Sequence, residues 1–155
     1  MKKILLLSLT LIFSAAAFAQ NADEIAIIQS TYGMDKRALV TEQMKLSETE
    51  AKAFWPIYDE FEIARKEIGK KRIANIVEYA KNYQSLSNEA ATALLDQSFE
   101  NQSEFVKLLK KTYGQMSKAI TPARAAQFIQ IEMFLENAIR AKLGDEMPFI
   151  EKVKH

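Results

Sequence analysis

Histidine, thiolate and transition-metal chemistry all need side chains that this sequence scarcely contains. It has no cysteine and a single histidine, His155, the last residue. A metal site would therefore have to rest on carboxylates and thioethers. Met34, Met44, Met116, Met133 and Met147 are too scattered for a local thioether site, and Met116 and Met133 fall on apolar helix faces, where methionine serves as core filler. There is no glycine-rich phosphate loop. Carboxylates are abundant, but their neighbours account for them. Glu48 and Glu50 stand at an expected helix start, where the backbone dipole favours negative charge. Glu62 with Lys66, and Glu67 with Lys71, have the i,i+4 spacing of ion pairs on a solvated face. Asn101-Gln102-Ser103 spells a glycosylation sequon but falls within an expected helix and is discounted. The expectation is a protein that is not an enzyme, with no catalytic residue, no cofactor and no metal.

Two charged residues lie in apolar surroundings. Arg72 falls near the apolar stripe of its helix, and Glu132 sits between Ile131 and Met133. A charge drawn into a helix interface needs a partner, so Glu132 is expected to pair with Arg72 or Arg124 and to hold register between helices. Two further features could carry binding. One is the basic cluster Lys70, Lys71 and Arg72, which reads either as a solvated stretch or as an attractant for acidic clients. The other is the last helix, where Phe128, Ile131, Leu135, Ala138 and Ile139 form one stripe, and Ile129, Met133 and Phe134 carry apolar surface farther round than a single neighbour covers. That surplus belongs either to the core or to a client or partner surface.

The elements that must position these residues are helices. Pro56, Pro122 and Pro148 with Gly33, Gly69, Gly114 and Gly144 are the only prolines and glycines in the chain, and apolar residues recur at helical rather than alternating spacing. The class is all-α, expected as a long helical hairpin or cradle of about four helices. The first spans about residues 23–44 with a break near Gly33; the second begins after Ser47, the third after Ser87 and the fourth after Thr121. Ser47, Ser87 and Thr121 are N-caps whose side chains can accept from unpaired first-turn amides. Glu50 completes a capping box with Ser47, and Pro122 takes the first helical position, where a missing N–H costs nothing. The second helix is expected to run through Gly69 unbroken to about residue 83. In the third, Ala91, Leu95, Ser98, Gln102, Phe105, Leu109, Thr112 and Met116 form a coiled-coil-like seam. Pro56 should disturb the hydrogen-bond ladder of the second helix, with Trp55 packing there against the first or fourth helix.

The N-terminus reads as an export signal. Met1-Lys2-Lys3 is basic, residues 4–13 are apolar, and Ala17-Phe18-Ala19 has the small-x-small pattern of a cleavage site. The apolar run is shorter than the roughly 20 residues that cross a bilayer. Cleavage after Ala19 would leave residues 20–155 as one all-helical domain, soluble in the periplasm or secreted. Losing Lys2 and Lys3 leaves 19 basic and 20 acidic residues. Such balance points to neither nucleic acid nor an anionic membrane as partner.

The motifs "LSETE" at 46–50 and "ITPAR" at 120–124, in an exported helical chain of this length, resemble the paired LTxxQ-type motifs of the Spy/CpxP family of periplasmic stress proteins. Leu46, Ser47, Ile120 and Thr121 match the first two positions of each motif, while Glu50 and Arg124 stand where glutamines are expected. The resemblance implies a cradle-shaped antiparallel homodimer that holds unfolded envelope proteins without ATP, or binds a sensor domain. Related metal-resistance sensors use internal histidines, which are missing here. The expected function is ATP-independent and chaperone-like, or else structural or regulatory, with one folded envelope partner.

Overall fold

The computed structural model describes residues 24–150. They form five α-helices and no strand: α1 Glu24–Tyr32, α2 Lys36–Met44, α3 Glu48–Asn82, α4 Asn88–Ala119 and α5 Pro122–Asp145, with a 3-10 turn at Tyr83–Ser85. The proposed signal sequence and His155 lie outside the described residues.

Each boundary has a local cause. Gly33, at φ 69, takes the left-handed conformation that ends α1, and Asp35 caps α2 by accepting from the Ala38 N–H at 2.8 Å. Ser47 and Glu50 form the reciprocal capping box of α3. Ser87 accepts from the Ala90 N–H at 3.2 Å, and Thr121 from the Arg124 N–H at 3.2 Å. Helix α3 runs unbroken through Gly69 and also carries Pro56 in its interior.

Helices α3 and α4 form a long antiparallel hairpin: Asn75 Nδ2 donates to the Leu94 carbonyl at 3.0 Å, and Lys71 reaches Glu104 farther from the turn. Only Ile120 and Thr121 separate α4 from α5, so α5 folds back along α4 and lies beside α3 in the same direction. The pairs Glu50–Arg124 and Arg72–Glu136 mark that alignment. Helices α1 and α2 pack across α5.

The core has two parts. Toward the start of α3, Phe128 meets Phe54 and Phe61 edge-on at centroid distances of 5.3 and 5.4 Å, with Val40, Met44, Leu109 and Met116 around them. The other cluster joins Ile27 and Ile28 of α1 to Ile76, Ile139 and Leu143. Trp55 is half-buried beside the first cluster and lies under the Arg37 guanidinium at 4.1 Å, so its cover comes from α2. The seam expected on α4 holds only in its second half. Phe105, Leu109, Thr112 and Met116 are buried, whereas Leu95, Ser98 and Gln102 are exposed and Asn101 is buried instead. In the first half of α4 the buried face shifts instead to half-buried Leu94, whose carbonyl meets Asn75 of α3, and to Asn101.

Candidate functional site

Between the two apolar clusters runs a continuous alternating chain of eight charged side chains. Glu132 Oε2 accepts from Lys36 Nζ at 2.6 Å, and Lys36 also donates to Glu62 at 2.5 Å. Arg65 joins Glu62 at 3.2 Å to Glu24 at 2.8 Å. Arg72 then bridges Glu24 at 2.9 Å and Glu136 at 2.5 Å, and Arg140 closes the series on Glu136 at 2.6 Å. Acids and bases alternate and are equal in number along the chain, which ends at the exposed Arg140 and ties α1, α2, α3 and α5 together.

The local folding reason lies in register. Arg65 and Arg72 fall on the α3 stripe that carries Phe54, Tyr58, Phe61, Ile68 and Ile76, while Glu132 and Glu136 share the α5 stripe of Phe128, Leu135 and Ile139. Burial pushes the Glu132 carboxyl above its ordinary range, an effect that Lys36 only partly offsets. Burial alone would also raise Glu62, but Lys36 and Arg65 together hold it below its usual value. Burial raises the Tyr58 phenol, and the neighbouring carboxylates Glu62 and Glu132 add to this.

Several sequence expectations are corrected here. Glu132 pairs with Lys36, not with Arg72 or Arg124, because the Gly33 break and the Asp35 cap turn the start of α2 inward over α3 and α5. Arg72 belongs to Glu24 and Glu136. Glu62 is internal rather than on a solvated face with Lys66, and Glu67 pairs with Lys70 while Lys71 crosses to Glu104. The basic cluster is thus divided: Lys70 and Lys71 are exposed and paired with neighbouring acids, and Arg72 is inside. A signal for the internal chain was present, since Arg65 completes the three- and four-residue spacing 58, 61, 65, 68.

Arg124 locks the two motif-bearing helix starts together. Its Nε donates to Glu50 at 3.0 Å, and its terminal nitrogens reach the Lys45 carbonyl and Gln127. The Arg124 hydrogen bond, with those from Ser47, lowers the Glu50 carboxyl to about 2. Ser47, Glu50, Thr121, Pro122 and Arg124 therefore act together as a structural junction.

Gly69 has its own place in the chain of charges. A Cβ there would stand 2.6 Å from Glu24 Oε2, and Glu24 cannot swing away without releasing Arg65 and Arg72. Gly69→Ala is therefore expected to lower stability by about 2 kcal/mol, despite a helix-propensity gain of about 1 kcal/mol. Gly114→Ala, within α4 and with nothing near its added methyl, should show the gain alone. Parallel urea denaturation of the two variants checks this; stabilisation by both would refute the crowding argument.

Two apolar surfaces remain exposed. On α5, Met133 is 52% and Phe134 61% exposed, while Ile129 is half-buried against the core. Phe134 meets Tyr32 at 6.0 Å beside a groove of about 420 Å³ whose lining, including Leu39, Gln43, Gln127 and Ile131, is entirely uncharged. On α4, Leu95, Phe99, Val106 and Tyr113 are exposed at spacings of four, seven and seven residues. The charges of α4 are segregated: Glu89, Asp96, Glu100 and Glu104 precede Lys107, Lys110, Lys111 and Lys118.

Among the described residues, no group of three or more His, Cys, Asp or Glu side chains is arranged to hold a metal ion, and no helix is long and apolar enough to cross a membrane. The Asn101 side chain is buried, which closes the sequon to a glycan. Compared with known proteins, the chain matches no protein-family model, no curated protein and no solved structure.

Proposed function

We propose that this chain is an exported helical binding protein that holds partly unfolded envelope proteins by apolar contact, without ATP. The observation that carries the reading is the exposure of Phe134 on the lining of the uncharged α5 groove, with Met133 exposed next to it in the chain. Methionine and aromatic side chains adapt to varied apolar partners, and the amides of Gln43 and Gln130 at the same groove can hydrogen-bond the main chain of an extended segment. Because Lys70, Lys71 and Arg72 already have acidic partners, capture should depend little on salt.

The α4 seam supports a homodimer as the working form. Antiparallel apposition of two α4 helices would bring Leu95 against Tyr113 of the second copy, and Asp96 and Glu100 opposite its Lys110 and Lys107. Opposite charges would meet along one edge of the apolar seam.

Suppression of aggregation across several unrelated unfolded proteins tests the function. The double variant Met133→Ser, Phe134→Ser is expected to lose most of that protection with its helical content unchanged. Undiminished protection would remove the α5 surface from the mechanism, and saturable binding of one folded target without protection of the others would replace chaperone-like capture by a dedicated partner role. Light scattering tests the dimer. Lys107→Glu, Lys110→Glu, Lys111→Glu is expected to be monomeric alone and to pair with the complementary Asp96→Lys, Glu100→Lys variant. A monomeric wild type would overturn the dimer.

A further inference from the structure

A cavity of about 240 Å³ lies between α1, the start of α2 and α3, on the flank of the ion-pair chain. One wall is a face of α3, where Tyr58, Glu62 and Arg65 follow one another at spacings of four and three residues. Each of the three presents an atom that the fold leaves without a partner. Both bonds to Glu62, from Lys36 and from Arg65, end on Oε1, which leaves Oε2. Arg65 spends Nε on Glu62 and Nη1 on Glu24, which leaves Nη2. Tyr58 is only 3% exposed, and its hydroxyl has no hydrogen bond to any described residue. Burial and the carboxylates of Glu62 and Glu132 keep this phenol protonated. None of these three atoms is sealed in as Oε1 of Glu132 is, so a molecule in the cavity can bond them.

Polar atoms of buried side chains are rarely left unpaired, and here the set carries both signs of charge. Asp35 is occupied with its cap and Asp59 with Arg37. The open charges are therefore the Glu62 oxygen, the Arg65 edge and Lys66, an exposed cation on the same lining with no ion pair among the described residues. They are ordered along α3: Tyr58 and Glu62 come first, and Arg65 and Lys66 follow about one turn later. A simple anion would meet the Glu62 carboxylate, and a simple cation the Arg65 guanidinium. A molecule with an ammonium and a carboxylate on one carbon sets each against its opposite.

We propose that this cavity binds a free α-amino acid with a small side chain. Its ammonium donates to Glu62 Oε2 and Tyr58 Oη, and its carboxylate accepts from Arg65 Nη2 and Lys66 Nζ. Its side chain lies toward Ile28, the only aliphatic residue of the lining. The cavity shares no residue with the α5 groove or the α4 seam, so the site stands or falls independently of them.

L-alanine titrated into the purified protein, followed by calorimetry and by tryptophan fluorescence, tests the assignment. Trp55 is the one tryptophan of the chain and lies edge-on to Tyr58 at 5.2 Å, so its emission reports on this wall. Saturable binding is expected. Acetate and ethylamine, each carrying one of the two charges, should bind about tenfold or more weakly, as loss of a charge-assisted hydrogen bond implies. Tyr58→Phe keeps the ring and removes only the unpaired hydroxyl, and Lys66→Gln removes an exposed charge. Both variants should keep the unfolding midpoint of the wild type and weaken L-alanine binding several-fold. No saturation by about 10 mM L-alanine, acetate binding as tightly as L-alanine, or wild-type affinity in both variants would overturn the proposal.

Discussion

Lys36→Met is expected to cost the fold about 3–5 kcal/mol, the usual penalty for removing one partner from a buried ion pair. Lys36 is itself buried and serves two carboxylates, Glu62 and the nearly inaccessible Glu132. Without it, Glu62 keeps Arg65, but Glu132 is left as an uncompensated interior charge with its Oε1 already unpaired. The two acids have opposite pH signatures. Glu62 is held below its ordinary 4.5, so its contribution to stability is complete above that pH and is lost as pH falls through the lower folded value. Glu132 is pushed up, so the folded protein holds its proton more tightly than the unfolded chain does. Its contribution is greatest below pH 4.5 and is lost as pH rises through its folded value. Removing the Glu132 charge should therefore relieve the Lys36→Met defect in neutral solution. Urea denaturation at pH 7 of Lys36→Met and of Lys36→Met, Glu132→Gln measures this coupling. Equal losses in the two variants would contradict a direct pairing of Lys36 with Glu132.

Phe128→Ala should be comparably damaging, at about 3–5 kcal/mol. The ring is fully buried and lies edge-on to Phe54, Tyr58 and Phe61, with centroids 5.3, 5.9 and 5.4 Å away. Its removal deletes three aromatic contacts and opens a cavity where α5 meets α3. A typical domain has only about 5–15 kcal/mol of stability, so the variant should sit close to its unfolding transition. Phe128→Leu, which keeps more of the volume, should cost distinctly less. Thermal and chemical denaturation of both would check this, and equal midpoints for wild type and Phe128→Ala would show that α5 does not depend on this ring.

Helix boundaries were legible in the sequence because their causes are local. Ser47, Ser87 and Thr121 each bond an amide three residues away, Glu50 bonds back to Ser47, and Gly33 ends α1 through its own φ. Continuity of α3 through Gly69 was legible for the same reason, since the apolar stripe stays in phase across it. The identity of helical contacts was less so. Glu62 read as surface when taken with Lys66 along one helix, and Arg72, read as near the apolar stripe, was expected to meet Glu132 rather than Glu24 and Glu136. The burial of Glu62 and Arg72 depends on which charge another helix brings opposite them.

From the sequence alone came the all-helical class, the caps and the apolar character of α5. Each depends on dihedral preference, a side chain's reach over one turn, or periodicity along a single element. Only the tertiary structure decided that Lys36 meets Glu132, that Glu24 occupies the space above Gly69, that Asn75 and Asn101 share a cavity, and that Leu95 and Phe99 are left exposed. Those outcomes turn on the burial and pairing of groups far apart in the chain. Desolvation and Coulomb attraction act through space, and the sequence carries no direct record of which helix faces which.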